Sequence, residues 1–383
     1  MKIVLATGIY PPEIGGPATY TRALALALQK RGHAVTVIAY GESVDGESSA
    51  FSVIRVSRRG GFVVRYVRYA WNVWKYVRCA DVVYVQGPVS EGLPATIAAR
   101  FARCPMVMKV VGDYAWEMAQ HQGEQELPDA FVSHRHRGLI RAYEWIERFT
   151  ARNAQRVIVP SKYLQSIVER WGVASEKIQV IVNASETLPS VDTRESIRQK
   201  YRVGDSVVVL SAVRAVPWKS LDRVIRWWRE MPESHLFVIA GDGPELEVWK
   251  ELAKKFQVES RVRFLGSVNR HLLAEWYAVA DVFLLPSKYE GYPNVIAEAT
   301  SVGLPCLVSD QGGNPETREQ EPDLVRVIPI DDEVAWVSAL QTVTRRAVDQ
   351  SSTHTEQRWT STQMVNATER VLQKVVRSRG SSV

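Results

Sequence analysis

Glu290 and Glu298 stand on either side of a Gly-Tyr-Pro-Asn turn in the stretch SKYEGYPNVIAEATSVGLP, residues 287–305. Pro293 suits the first helical position, where a missing N–H costs nothing, and a helix is expected from there until Gly303 and Pro305 stop it. The N–H groups of Gly291, Tyr292, Asn294 and Val295 would then form a helix N-terminus, a ready site for phosphate oxygens. One carboxylate before that site and one beyond it can accept hydrogen bonds from hydroxyls on both sides of a diphosphate. A sugar nucleotide carries hydroxyls in those places, the sugar on one side and the ribose on the other. Arg214 and Lys219, in AVRAVPWKS, supply two cations able to neutralise a diphosphate. Gly241 and Gly243, in AGDGPE, form a Gly-rich turn that can bring backbone close to a ligand. Taken singly, two glutamates are more often solvated loop and helix residues. Their company favours a site.

Each of these segments follows an apolar run. VVVLSAV, LFVIAGDG, RVRFLG, DVFLLPS, PCLVSD and LVRVIP read as six short strands separated by helical stretches. KIVLAT, the helix in GGPATYTRALALALQKRG and HAVTVIAY form a βαβ unit, and DVVYVQG, PMVMKVVG and RVIVPS continue the alternation. The fold class is therefore α/β, with two doubly wound Rossmann-like domains whose sheets face each other across a cleft. The polar, turn-rich SETLPSVDTRESIRQKYRVGDS is the expected linker. The expected division is residues 1–188 as an acceptor-side domain, 189–355 as a donor-binding domain and 356–383 as a terminal helix and tail packing back on the first domain. Trp359, Met364, Val365 and Val371 are the expected apolar side of that helix.

The order of SAVRAVPWKSLDRVI, FVIAGDGPELE, VRFLGSV and YAVADVFLLPSKYEGYPNVIAEATSVGLPCLVSDQGGNPE resembles the C-terminal domain of the retaining glycosyltransferases of family 4, which have the GT-B fold. The Glu-x7-Glu spacing is that family's pattern, and YPPEIGGPATYTRALALALQKRGHAVTVIA is similar to its acceptor-side Gly-rich loop and first helix. The resemblance implies that Arg214 and Lys219 hold the donor diphosphate, Glu298 binds the ribose and Glu290 contacts the transferred sugar. It also implies that the backbone from Gly291 to Asn294 meets phosphate and sugar, and that Gly15 and Gly16 lie close to the diphosphate. Many members carry a histidine, commonly followed by aspartate, where this chain reads Gly112-Asp113. Asp113 is expected either to take a polar role toward the sugar or to cap the helix starting at YAWEMAQ.

The chain has no Asp-x-Asp motif, so a metal-independent reaction with no required cofactor is expected, the nucleotide-sugar being substrate. Arg55 to Arg78 holds seven basic residues, six aromatics and no acid, which suits an amphipathic helix on an anionic membrane surface; the plain alternative is a domain helix with solvated arginines. Residues 1–188 carry 23 basic and 16 acidic side chains, so the positive field belongs to the first half. No nucleic-acid recognition motif accompanies it, and nucleic acid is not an expected partner. His134 and His136 read as solvated loop residues. Three cysteines without CxxC spacing, and an N-terminus lacking signal-peptide features, suit a cytoplasmic protein at the inner face of the membrane. The expectation is transfer of a sugar from a UDP- or GDP-sugar to a glycan or lipid-linked acceptor in cell-surface polysaccharide synthesis. A sugar-nucleotide 2-epimerase and a non-catalytic sugar-nucleotide-binding subunit are the alternatives.

Overall fold

The computed structural model describes residues 1–13, 15–42, 50–124, 126–184, 188–346 and 360–380. It divides into two compact units, one of Met1–Glu124, Asp129–Asn183 and Thr360–Val383, the other of Gln125–Pro128 and Ala184–Trp359. Each is an all-parallel sheet clothed by helices.

The first sheet contains β1 (Lys2–Thr7), β2 (Ala34–Tyr40), β3 (Ser52–Val56), β4 (Val82–Gln86), β5 (Met106–Lys109), β6 (Arg156–Val159) and β7 (Ile178–Val180), in the order β3-β2-β1-β4-β5-β6-β7. The second contains β8 (Val207–Ala212), β9 (His235–Ala240), β10 (Val262–Gly266), β11 (Val282–Leu285), β12 (Cys306–Ser309) and β13 (Val325–Ile328), in the order β10-β9-β8-β11-β12-β13. β4, β8, β9, β11 and β12 are buried along their whole length, which is why they read as uninterrupted apolar runs. Five tryptophans, Trp116, Trp228, Trp249, Trp276 and Trp336, are among the largest fully buried side chains and fill the space between sheet and helices.

Strand order reverses between β1 and β4 in the first sheet and between β8 and β11 in the second. Loops at the carboxyl ends of strands flanking such a switch point diverge and leave a crevice for ligands. Ala212 ends β8 just before Arg214 and Lys219, and Leu285 ends β11 just before Glu290. The topology thus places the expected diphosphate cations beside the expected sugar contact.

Three expectations about elements are corrected. The basic stretch from Arg55 to Arg78 is not one helix: its start belongs to β3, and the helix is Phe62–Val77. Pro293 is the residue before the Asn294–Ser301 helix rather than its first residue, because its ψ of 87° is not helical. The supposed linker contains the Arg194–Lys200 helix, anchored in the second unit by Arg194 donating to the carbonyls of Ala278 and Ala280 (2.8 and 2.9 Å). The Ser361–Gly380 helix buries Met364, Val365, Leu372 and Val375 in the first unit; Val371 is half-buried, and Trp359 lies outside the described residues.

Candidate active site

In the second unit, Lys219 Nζ donates to Glu290 Oε1 at 2.5 Å, and both side chains are about seven-eighths buried, at 13% and 12% exposure. Two residues 71 positions apart in sequence therefore form one ion pair. Their loops are also tied through the backbone, where the Lys288 N–H donates to the Trp218 carbonyl (2.7 Å). Between Lys219 and the helix Leu221–Trp227 stands Ser220, with φ 56° in the left-handed region, a conformation that a non-glycine residue keeps only when its surroundings enforce it. Arg214 is exposed, and no acceptor among the described residues is paired with its guanidinium.

Glu298 lies on the second turn of the Asn294–Ser301 helix. It accepts from Tyr277 Oη (3.1 Å) and Arg270 Nη1 (3.3 Å). Burial, and then the neighbouring Glu298 charge, pushes the Tyr277 phenol well above its ordinary value, so it stays a donor. Asn294 N–H turns back to the Tyr292 carbonyl (3.1 Å), and the Tyr292 hydroxyl donates to Gln320 (3.0 Å). The polar oxygens Ser220 Oγ, Ser287 Oγ and Asn294 Oδ1 are buried with no partner among the described residues, an arrangement concentrated where a site is built for something else.

The glycines divide by what crowds them. A Cβ on Gly241 would lie 1.8 Å from the Val213 carbonyl oxygen, and one on Gly243 2.4 Å from that of Ala215. What comes close to this turn is the Arg214 loop, to which it is also hydrogen-bonded through Ala215 N–H to Asp242 O (2.9 Å). Sequence reasoning missed a second shelf of this kind: Gly312 and Gly313 pack under Glu290 and Gly291, and Gly313 N–H donates to the Glu290 carbonyl (2.7 Å). The Gly-Gly pair after β12 was the available signal. Arg270 and Tyr277 left none, since Tyr277 sits in an apolar helix and reads as core.

Residues 193–324 of the chain match the family described as glycosyl transferases group 1, and residues 15–184 match the glycosyl transferase 4-like domain. An uncharacterised glycosyltransferase of Methanocaldococcus jannaschii is 26% identical, over 88% of this chain and 87% of that protein. Alpha-monoglucosyldiacylglycerol synthase of Streptococcus pneumoniae is 24% identical, over 82% of this chain and 72% of its own. Among solved structures, Anabaena HepE in complex with UDP and glucose superposes with a TM-score of 0.74 at 18% identity, covering 97% of this chain and 99% of that one. This chain is a group 1 glycosyltransferase with the GT-B fold.

In the glycosyltransferase's first unit, Gly15 precedes the Gly16–Lys30 helix and its carbonyl accepts from Thr19 N–H (3.1 Å). A Cβ on Gly15 would meet Ile9 Cδ1 at 2.7 Å, whereas one on Gly16 would point into open space. Asp113 is 2% exposed and caps the Tyr114–His121 helix by accepting from Trp116 N–H (2.9 Å). Buried Glu147 accepts from Tyr114 N–H at the same helix end (2.7 Å). Burial raises the Asp113 carboxyl to about 6 and the Glu147 carboxyl well above its ordinary value. The geometry fits the capping reading of Asp113. His136 is likewise not solvated: it stacks on Phe131 and lies 3.1 Å from Glu144.

Proposed function

We propose that this glycosyltransferase moves a sugar from a UDP- or GDP-sugar to a lipid-linked or glycan acceptor, with retention of the anomeric configuration and without a metal ion. The observation that carries the reading is the Lys219–Glu290 pair at the switch point of the second sheet, on loops of which the first also carries the exposed Arg214. A donor diphosphate would draw Lys219 away from Glu290 and join it with Arg214, and the released Glu290 carboxylate would accept from a sugar hydroxyl. Glu298, held by Tyr277 and Arg270, would receive the ribose hydroxyls.

Departure of the nucleoside diphosphate builds negative charge on oxygen. Two cations and the N–H groups at the start of the Asn294–Ser301 helix, those of Gly291, Tyr292 and Val295, would stabilise that charge more in the transition state than in the ground state. With no enzyme carboxylate assigned to the opposite face, the acceptor hydroxyl attacks from the leaving-group side and the departing phosphate helps to take its proton. A lipid-linked acceptor is supported by the alpha-monoglucosyldiacylglycerol synthase among the relatives and by the basic, aromatic Phe62–Val77 helix. No helix among the described residues is long and apolar enough to cross a membrane. The basic Phe62–Val77 helix supports a peripheral position on the anionic inner face of the cytoplasmic membrane.

The test is nucleotide release from UDP-, GDP- and ADP-sugars in EDTA. One donor should be hydrolysed slowly by the wild type, and about tenfold or more slowly still by Lys219→Ala and Glu298→Ala, as expected for loss of a charged hydrogen bond. Hydrolysis that survives both substitutions would remove this site from the chemistry.

A further inference from the structure

The first unit holds a second pair of features that the donor site does not use. Between the helices Phe62–Val77 and Gly92–Phe101 runs a groove of about 610 Å³ lined by apolar side chains, among them Tyr66, Val67, Trp71, Leu93 and Ile97. Its rim is unusually open for such residues: Val67 and Trp71 are each 63% exposed and Phe101 79%. Beside it, where the first sheet's order reverses between β1 and β4, lies a cavity of about 240 Å³ lined by Gly8, Ile9, Tyr40, Arg58, Arg65 and Glu91. Arg65 joins the two, since its guanidinium lies over the rings of Phe62 and Tyr66 on the groove side and of Tyr40 on the cavity side, 5.6 to 5.8 Å from their centroids.

The charges in this region single out one kind of occupant. Arg58 is paired with Glu13, but Arg65 Nε is buried with no hydrogen-bond partner and no carboxylate among the described residues is paired with that guanidinium. Glu91 is the acid at the cavity floor; burial raises it to about 8, so at neutral pH it is protonated and does not repel an anion. The helix Phe62–Val77, which forms one wall of the groove, carries Arg65, Arg68 and Lys75, and residues 55–78 contain no acid. A protein surface docking here would have to be both apolar and strongly acidic. A lipid phosphate is both by constitution.

Resting on the transferase reading, we infer that this site holds the acceptor as a lipid phosphate, one hydrocarbon chain lying in the groove between the two helices and the phosphate at Arg65. The groove then selects acceptors one molecule at a time, which differs from adsorption of the enzyme to a bilayer.

Isothermal titration with dodecyl phosphate below its critical micelle concentration tests this. The wild type should bind one equivalent saturably, and dodecanol more weakly. Ile97→Asp should weaken dodecyl phosphate by about tenfold or more, through the lost apolar contact and an added negative charge. Arg65→Gln should weaken dodecyl phosphate by a similar factor while leaving dodecanol unchanged. Ile97 is exposed and Arg65 half-buried, and both variants should keep wild-type thermal shift with the nucleotide-sugar. Binding to phosphatidylglycerol vesicles without binding of the monomer would overturn the inference in favour of a membrane contact, as would equal affinities in wild type and variants. Loss of the chain site with donor hydrolysis intact defeats this inference alone; absent donor hydrolysis defeats the transferase reading itself.

Discussion

At the scale of single residues, the glycosyltransferase contains two carboxyl groups in contrasting surroundings. Glu290 is ion-paired with Lys219, and under the proposed function a donor diphosphate would open that pair. Glu91 is enclosed instead: a Cβ on Gly8 would lie 2.8 Å from one carboxyl oxygen and a Cβ on Gly87 2.6 Å from the other. Burial raises its pKa from 4.5 to about 8, offset in part by backbone hydrogen bonds. The folded state therefore holds a proton that the unfolded chain has released. Stability attributable to Glu91 is full below pH 4.5 and is lost as pH rises toward 8, at up to about 1.4 kcal/mol per pH unit. Glu91→Gln cannot titrate. In urea unfolding at several pH values across this window, the variant should gain on the wild type as pH increases. A constant difference between the two proteins would mean that Glu91 is already ionised in the folded state.

At the scale of elements, the site is an assembly of strand-to-helix loops that press backbone against backbone. Gly241, at φ 127°, has no room for a side chain beside Val213, so Gly241→Ala must separate the Arg214 loop from its neighbour. We expect it to destabilise the second unit by about 2 kcal/mol or more and to abolish donor binding. Gly16→Ala points into open space and should leave thermal stability within about 0.5 kcal/mol. If Gly16→Ala also lowers transfer, the loop meets a ligand there; if Gly241→Ala melts like the wild type, the packing argument fails. The same contrast explains what was legible in the sequence. All six strands of the second sheet could be read: β8, β9, β11 and β12 because strands buried on both faces have to be apolar, and the partly exposed β10 and β13 because they still carry short apolar runs. β3, with SVIRV at the sheet edge, and β7, three residues long, could not: one face of each is polar or exposed. That Lys219 and Glu290 lie on neighbouring loops was legible because charged residues after apolar strands announce themselves; the roles proposed for them and for Arg214 and Glu298 await the assays above. The Gly312–Gly313 shelf and the Tyr277 clamp depend on neighbours that only the fold supplies.

At the scale of the whole molecule, the chain begins in one unit, builds the second and returns to the first through Ser361–Gly380. Glu369 on that helix bonds to Arg31 and to His33 Nε2 (2.8 Å), and these bonds hold its carboxyl below the usual range against the opposing effect of burial. Leu372 is fully buried against the first unit. The first unit is therefore complete only when the last helix is in place, whereas the proposed donor residues Arg214, Lys219, Glu290 and Glu298 all belong to the second. Multidomain chains need not unfold in one step, and a ligand stabilises only the unit that binds it. Scanning calorimetry should resolve two transitions. The nucleotide product identified by the release assay should raise one of them, assigned to the second unit. Leu372→Ala, which removes buried methyl groups at a cost of about 2–5 kcal/mol, should lower the other and leave the nucleotide-dependent shift unchanged. If Leu372→Ala instead lowers both transitions together, the two units fold as a single cooperative body, and donor binding would become sensitive to any loss of packing under the terminal helix.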